Sequence, residues 1–481
     1  MLTAEFIQRA GGDQLLFGNY PIGTFSICTD TREFHGNDQI FLALQGESFN
    51  GFDFAEELIK KGCPLIIYTR SLANQEKRKG HQKSFPHQAF LEVDDSLLFY
   101  QNLAAIYAKH WSEQGNAPVV RRIIGITGSN GKTTTKDMLY HFLQTAYPGK
   151  VHKTEKNFNN HIGVPRTLLE LNADHYFAVI EMGTNHPGEI ELLCRLSQPT
   201  AGILTCIGQS HLEFFENEEN VFKEKKVLYD CVKSSQHAKP YMVIDGRDPY
   251  LNKLVGLPDV ISLRDGAAHD GQMGNYVEIG EFKSHQLSLT WNGWEFTLKN
   301  EKLTGLHNFT NMAMALVLAA SIAADKKQEM VKAAPLFSPA KNRSSWVCWK
   351  NCEIFLDAYN ANPSSMRAAL TGFIQEIQSP FHHALFILGD MNELGMNAEK
   401  YHREIGEYMN SLHIDRCVFL GRFASSYAAT FQGQAYCYES VENFFLSDWK
   451  SLFKESQYVF IKASRSLRLE RIVDELNKDI H

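Results

Sequence analysis

No stretch of the chain is apolar for long enough to cross a membrane. The longest apolar run, residues 313–324 (AMALVLAASIAA), falls well short of the roughly 20 residues a bilayer demands and reads as a buried helix. The amino terminus, MLTAEFIQRAGG, has no basic start, apolar signal core or cleavage site, so a cytoplasmic protein with no membrane insertion is expected. The nine cysteines never form CxxC, and the nearest pair, Cys348 and Cys352, has no second pair to match it. That disfavours a zinc site and a disulfide framework, and leaves reduced thiols. An extended basic tract is also missing and the formal net charge is −7, which argues against nucleic acid as a partner but leaves small anionic ligands open. There is no low-complexity tract and no short-period repeat.

What is present is an ordinary globular composition, 44% hydrophobic and 21% charged, over 481 residues. A chain of this length exceeds one core, and three domains is the middle expectation. Residues 1–115 hold short apolar runs at 40–44 and 64–68 and end in a helix over 97–111, followed by a linker over 112–118. Residues 116–335 alternate strands (123–127, 176–181, 201–207, 241–244) with helices (133–146, 189–196, 218–232), the rhythm of a parallel sheet wound with helices. Turn-rich, alternating sequence over 259–300 reads as a small antiparallel insertion, and a helix over 306–324 closes the region. Residues 336–481 repeat the rhythm, with strands at 353–356, 384–388, 416–420 and 458–461 and helices at 363–377, 399–412 and 467–476. An α/β protein follows, with a P-loop-type central domain and a Rossmann-like third domain that bind ligands at the carboxyl ends of their strands.

The strongest local signal is GITGSNGKTTTKDML, residues 125–139. Gly128, Ser129, Asn130, Gly131, Lys132, Thr133 and Thr134 form a shortened Walker-type loop between a strand and a helix. Its glycines let backbone amides turn toward an anion, Lys132 reaches the outer phosphates, and the Thr133 hydroxyl suits Mg²⁺. Glu181 ends an apolar strand, where a carboxylate could hold the same hard cation. His211 stands at a third strand end and reads equally well as an ordinary loop histidine. Lys225 lies in a charged run, 218–226, where solvated lysines are the rule. Asn157, Asn159, Asn160 and His161 cluster as turn formers or as neutral donors and acceptors for a polar substrate. Asn308 and Asn311 fall on one face of a helix start beside His307, and capping explains only one of them. Asp357, Tyr359, Asn360 and Asn362 lie between a strand and a helix opening at Pro363; ribose hydroxyls suit Asp357 and a flat base suits Tyr359.

Together TGSNGKTT, EMG, HLE, HNFTN, DAYNANPSSM and LGDMNELG resemble the Mur ligase family of bacterial cell-wall synthesis along nearly the whole chain. The resemblance implies a first domain for a uridine nucleotide substrate, a central ATPase domain and a third domain that closes over ATP. DAYNANPSSM with LGDMNELG, and the absence of a DNPR-type string, point to the branch that joins D-alanyl-D-alanine to UDP-N-acetylmuramoyl-tripeptide. There ATP phosphorylates the terminal carboxylate and the dipeptide amine attacks the acyl phosphate. By the same resemblance Lys132 neutralises the γ-phosphate, Thr133 and Glu181 hold one Mg²⁺, and His211 serves a second. Lys225 matches a carbamylated lysine that becomes a metal ligand, so Lys132, His211 and Lys225 form the catalytic set. Asn308, Asn311, Arg343 and Asp357 contact ATP, with Tyr359 and Asn360 near the base. Thr31, Arg32, Gln45 and Gly46 meet the uridine substrate, and Asn159 and Asn160 its sugar-peptide. A monomer is expected. The chain departs from the family pattern at Asn50-Gly51-Phe52, at Asn342 before Arg343, and at Ala463. The rival readings are a nucleotide-dependent switch, which would bind ATP without an acceptor, and a sister ligase that takes a free amino acid.

Overall fold

A computed structural model describes residues 2–12, 14–115, 117–266, 275–377 and 384–478. Among these residues the strands form three sheets with helices packed against them. The first sheet has the order Leu15–Phe17, Ala89–Val93, Leu65–Thr69, Gln39–Ala43, Ser26–Cys28, parallel except for its first pair. The nine-stranded central sheet runs Trp294–Lys299, Gln286–Trp291, Asn275–Lys283, Val260–Asp265, Tyr241–Asp245, Ala201–Leu204, Arg122–Thr127, Phe177–Glu181, Val151–Lys153. The six-stranded third sheet runs Ser345–Trp349, Cys352–Asp357, Tyr458–Lys462, Ala384–Gly389, Arg416–Leu420, Gln434–Tyr438, with only its first pair antiparallel. The fold is α/β with mostly parallel strands. No helix among the described residues is long and apolar enough to cross a membrane.

The expected insertion over 259–300 is corrected by the pairing. Val260–Asp265 and Asn275–Lys283 extend the central sheet in parallel, and only the two hairpin pairs after them are antiparallel. The reason is visible in burial: Val260 to Leu263 are all buried, as in strands covered on both faces, whereas Gln286–Trp291 alternates. Part of that stretch, residues 267–274, lies outside the described residues, as does Asn116 in the expected linker. The strand expected over 201–207 stops at Leu204, because the next residues leave the sheet to clasp the phosphate loop. Ser129 N donates to Cys206 O at 2.9 Å and Thr205 Oγ1 to Asn130 O at 2.5 Å.

Helix Leu306–Ile322 is buried almost all round and packs on helix Lys132–Ala146, which brings its asparagines to the loop. Helix Ser96–Glu113 packs on strands Gln39–Ala43 and Leu65–Thr69 of the first sheet and also on helices Gly163–Leu169 and Glu189–Ser197 of the central domain, so it joins the two. Tyr107 Oη donates to Leu171 O at 2.6 Å, Trp111 Nε1 to Asn172 O at 2.8 Å, and both rings share a core with Val164 and Leu168. Trp111→Ala removes a fully buried ring and a hydrogen bond at this seam. It is expected to destabilise the first and central domains by about 3–5 kcal/mol, read as a lowered urea midpoint; an unchanged midpoint would contradict the shared core.

Candidate functional site

Strand Arg122–Thr127, buried along its whole length, delivers the loop to the carboxyl edge of the central sheet. Gly128 has φ +151°, and a Cβ there would collide with Thr205 Oγ1. Gly131, at φ +80°, caps helix Lys132–Ala146 and leaves 2.7 Å between a notional Cβ and Asn311 Nδ2. Both positions therefore require glycine. Lys132 Nζ folds onto the loop, donating to Gly128 O at 2.7 Å, and burial pushes its pKa down while Glu181 opposes the shift.

Glu181 ends strand Phe177–Glu181 and is 2% exposed. Its Oε1 accepts from Thr133 Oγ1 at 3.0 Å and Asn159 Nδ2 at 2.9 Å, whereas the buried Oε2 has no hydrogen-bond partner and lies 3.9 Å from Lys136 Nζ. An orphaned hard oxygen beside a hydroxyl, under a phosphate loop, fits Mg²⁺. His211 sits at φ +53° with Nδ1 2.6 Å from Glu393 Oε2 of the third domain. Burial lowers its pKa, Glu393 raises it, and the charges of Lys132 and Lys225 lower it further, so these groups share one electrostatic neighbourhood.

Lys225 corrects the reading of its helix as a solvated face. The side chain is 0% exposed and its Nζ has no hydrogen-bond partner. Val221, Lys225, Leu228 and Val232 form one stripe of helix Glu218–Lys233, so the lysine sits in the apolar period. Lys226 instead pairs with Asp230 at 2.7 Å and Lys223 is exposed. Burial, reinforced by Lys132, pushes the Lys225 pKa down to about 7. Among the described residues no group of three or more His, Cys, Asp or Glu is gathered to hold a metal.

The third domain supplies the facing wall. Asp357 accepts from Ser344 N at 3.2 Å and from Lys462 Nζ, which also donates to Asn360 O at 3.0 Å. The Arg343 guanidinium stacks 3.7 Å over the Tyr359 ring. Asn342 occupies the left-handed region at φ +64°, which asparagine tolerates where the family pattern has glycine. Asn308 Nδ2 donates to Thr304 O at 2.9 Å, and burial pushes the neighbouring His307 down to about 4.

These residues enclose a cavity of about 1440 Å³ between the two sheets. Ser129 to Thr134, Asn159, Asn160, Glu181, His211, Asn308, Asn311, Arg343, Asp357, Tyr359 and Asn360 all line it. Its volume exceeds the roughly 300–1,000 Å³ of a single-ligand pocket, which leaves room for a nucleotide and a second substrate. Gly128 and Lys225 do not line it. Thr31, Arg32, Gln45 and Gly46 lie apart from it in the first domain: Arg32 is paired with Asp30 at 2.6 Å, and Gly46 N donates to Phe49 O at 2.8 Å. Glu33 pairs with Arg166 at 2.9 Å, which holds that turn against helix Gly163–Leu169, just after the asparagine cluster. Sequence reasoning missed Lys462, Glu393 and Ser364. A lysine closing the apolar strand Tyr458–Lys462 was the available signal for the first, whereas Glu393 and Ser364 acquire their partners only through the fold.

The Lys225 shift has a thermodynamic consequence. The unfolded chain binds this proton below about 10.5 and the folded chain only below about 7, so stability falls as pH drops through that window. In CO₂-free buffer Lys225→Met is expected to gain several kcal/mol over the parent near pH 7, shrinking toward pH 10, by urea unfolding. A difference independent of pH would contradict the buried, readily neutralised amine.

Residues 126–319 match the Mur ligase middle domain and residues 342–465 the Mur ligase, glutamate ligase domain. The UDP-N-acetylmuramoyl-tripeptide--D-alanyl-D-alanine ligase of Bacillus subtilis (strain 168) is 32% identical, covering 94% of this chain and 92% of its own. The Escherichia coli (strain K12) protein of the same name is 29% identical, covering 94% of each chain. A crystal structure of MurF from Acinetobacter baumannii superposes with a TM-score of 0.81 at 26% identity, covering 98% of both chains. The phosphate loop, the facing third domain and a likeness that runs almost end to end lead to one conclusion: the chain belongs to the Mur ligase family.

Proposed function

We infer that this chain is an ATP-dependent ligase that joins D-alanyl-D-alanine to UDP-N-acetylmuramoyl-tripeptide in peptidoglycan precursor synthesis, acting as a cytoplasmic monomer. The observation that carries the reading is a single cavity into which the phosphate loop, the Asn159–Asn160 cluster and the Arg343, Asp357, Tyr359 wall all open. Relatives alike over nearly the whole chain bear the name of that substrate pair. A carboxylate is a poor acyl donor, so the tripeptide carboxylate attacks the γ-phosphorus and ADP leaves. The dipeptide amine then attacks the acyl carbon, and phosphate departs as the amide forms.

Lys132 and the amides of Asn130 to Thr134 concentrate positive charge where phosphoryl oxygens gain negative charge. Asn308, Asn311, Arg343, Asp357, Tyr359 and Asn360 hold the nucleotide, with Lys462 steadying Asp357. Thr31, Arg32, Gln45 and Gly46 take the uridine end, and Asn159 and Asn160 the sugar-peptide. Thr133 and Glu181 would hold one Mg²⁺, and His211 with a carbamylated Lys225 a second; bound metal supplies charge neutralisation on the phosphates. The support for carbamylation is chemical. Lys225 is enclosed, lacks a hydrogen-bond partner and is substantially neutral near pH 7, the form whose lone pair adds to CO₂ with loss of one proton.

Phosphate release with ATP and Mg²⁺ is expected to require both the tripeptide nucleotide and the dipeptide, and to fall about 100- to 1,000-fold in Lys132→Ala. Release indifferent to the dipeptide would leave an ATPase only. With ¹³C-bicarbonate the parent should show a carbamate carbon resonance that Lys225→Ala lacks; identical spectra would remove the carbamate from the mechanism.

A further inference from the structure

We propose that Asn362 is a positioning residue that makes phosphate-loop geometry depend on docking of the third domain, through a reciprocal amide pair with Asn130. The proposal rests on the ligase reading above. Asn362 Nδ2 donates to Asn130 Oδ1 at 2.8 Å, and Asn130 Nδ2 donates back to Asn362 Oδ1 at 3.2 Å. Asn130 Nδ2 also reaches Ser364 Oγ at 2.9 Å, and Ser364 Oγ in turn donates to Asn362 Oδ1 at 2.9 Å. The residues are 232 apart in the chain, and Asn362 is 3% exposed.

Within the loop, Asn130 alone turns its side chain to the third domain. Ser129 Oγ is committed to the central domain, accepting from Gly208 N at 2.9 Å and donating to Gly208 O at 3.1 Å. Lys132 folds over the loop's own carbonyls. The Asn130 backbone is fixed from below by Thr205 Oγ1, so a pull on its amide is felt by the loop and is not absorbed by a free side chain. On the other side, Asn362 Oδ1 accepts from Ser365 N at 2.8 Å at the start of helix Pro363–Ile377, which fixes the amide to a rigid element. The approach is close: a Cβ on Gly208 would lie 2.6 Å from Ser364 Oγ.

Two primary amides paired head to tail are satisfied at one separation and one relative orientation, so the contact reports docking sharply. The domains are also pinned elsewhere, by Trp346 Nε1 to Thr304 Oγ1 at 2.8 Å and by His285 beside Glu376 at 2.8 Å. Those contacts do not involve the loop. Loss of the amide pair therefore leaves nucleotide binding and domain attachment in place and costs the reactive alignment.

The test is a double-mutant cycle on the full chain with Asn130→Ala and Asn362→Ser, the latter retaining a hydroxyl to cap the helix. It reads kcat for pentapeptide formation, equilibrium binding of a non-hydrolysable ATP analogue, and thermal midpoint. Each single variant is expected to lose about tenfold in kcat, with analogue affinity and midpoint held, and the double variant to be no slower than the worse single. Unchanged kcat in the singles, losses that multiply in the double, or analogue affinity or midpoint falling with kcat would each overturn the proposal. A parent that makes no pentapeptide would instead sink the ligase reading on which the proposal rests.

Discussion

One buried carboxylate organises the site. Glu181, at the end of a central strand, holds the Thr133 hydroxyl of the phosphate loop and the Asn159 amide of the asparagine cluster on the same oxygen. Its own N–H donates to Thr154 Oγ1, which fixes the strand end to a neighbouring segment. Enclosing a carboxylate costs free energy unless its oxygens are satisfied. Here one oxygen is hydrogen-bonded by protein, whereas the other has no hydrogen bond and only the Lys136 ammonium at 3.9 Å beside it, which leaves it able to accept from a further cation at the edge of the cavity.

The rest of the architecture serves that edge. The central and third sheets are both wound mostly parallel, and parallel strands collect their functional residues at their carboxyl ends. Placing two such edges face to face encloses a cavity with the glycine-rich loop and Glu181 on one wall and Arg343, Asp357 and Tyr359 on the other. Charge is distributed accordingly. Lys462 is neutralised by Asp357 and Arg343 lies on an aromatic ring, whereas Lys132 has only loop carbonyls as hydrogen-bond partners. The cation with no carboxylate or aromatic ring as its partner thus sits at the glycine-rich loop that lines the cavity.

Much of this was legible in the sequence because it is local. The loop announces itself by glycine spacing and a following helix, Glu181 by an apolar strand that ends in an acid, and helix Pro363–Ile377 by its opening proline. Legibility failed where long-range packing decides. Lys225 looked solvated amid charged neighbours, although its spacing from Val221 and Leu228 put it on the buried face. Val260–Asp265 looked like part of a separate hairpin because Ser262 between Ile261 and Leu263 imitates the alternation of a half-exposed strand, although all four residues from Val260 to Leu263 are buried in the fold. Glu393 beside His211 and Asn362 beside Asn130 could not be paired from sequence, because nothing in the chain encodes how two domains meet except the completed fold.

The central claim is that one cavity moves the γ-phosphoryl group of ATP onto a substrate carboxylate before the amide forms. Tripeptide nucleotide labelled with ¹⁸O in its terminal carboxylate tests it directly, with the released phosphate read by the isotope shift of its ³¹P resonance. The account predicts one ¹⁸O in each phosphate released during ligation, carried over from the carboxylate. Unlabelled phosphate would mean that water takes the phosphoryl group, and would contradict the account.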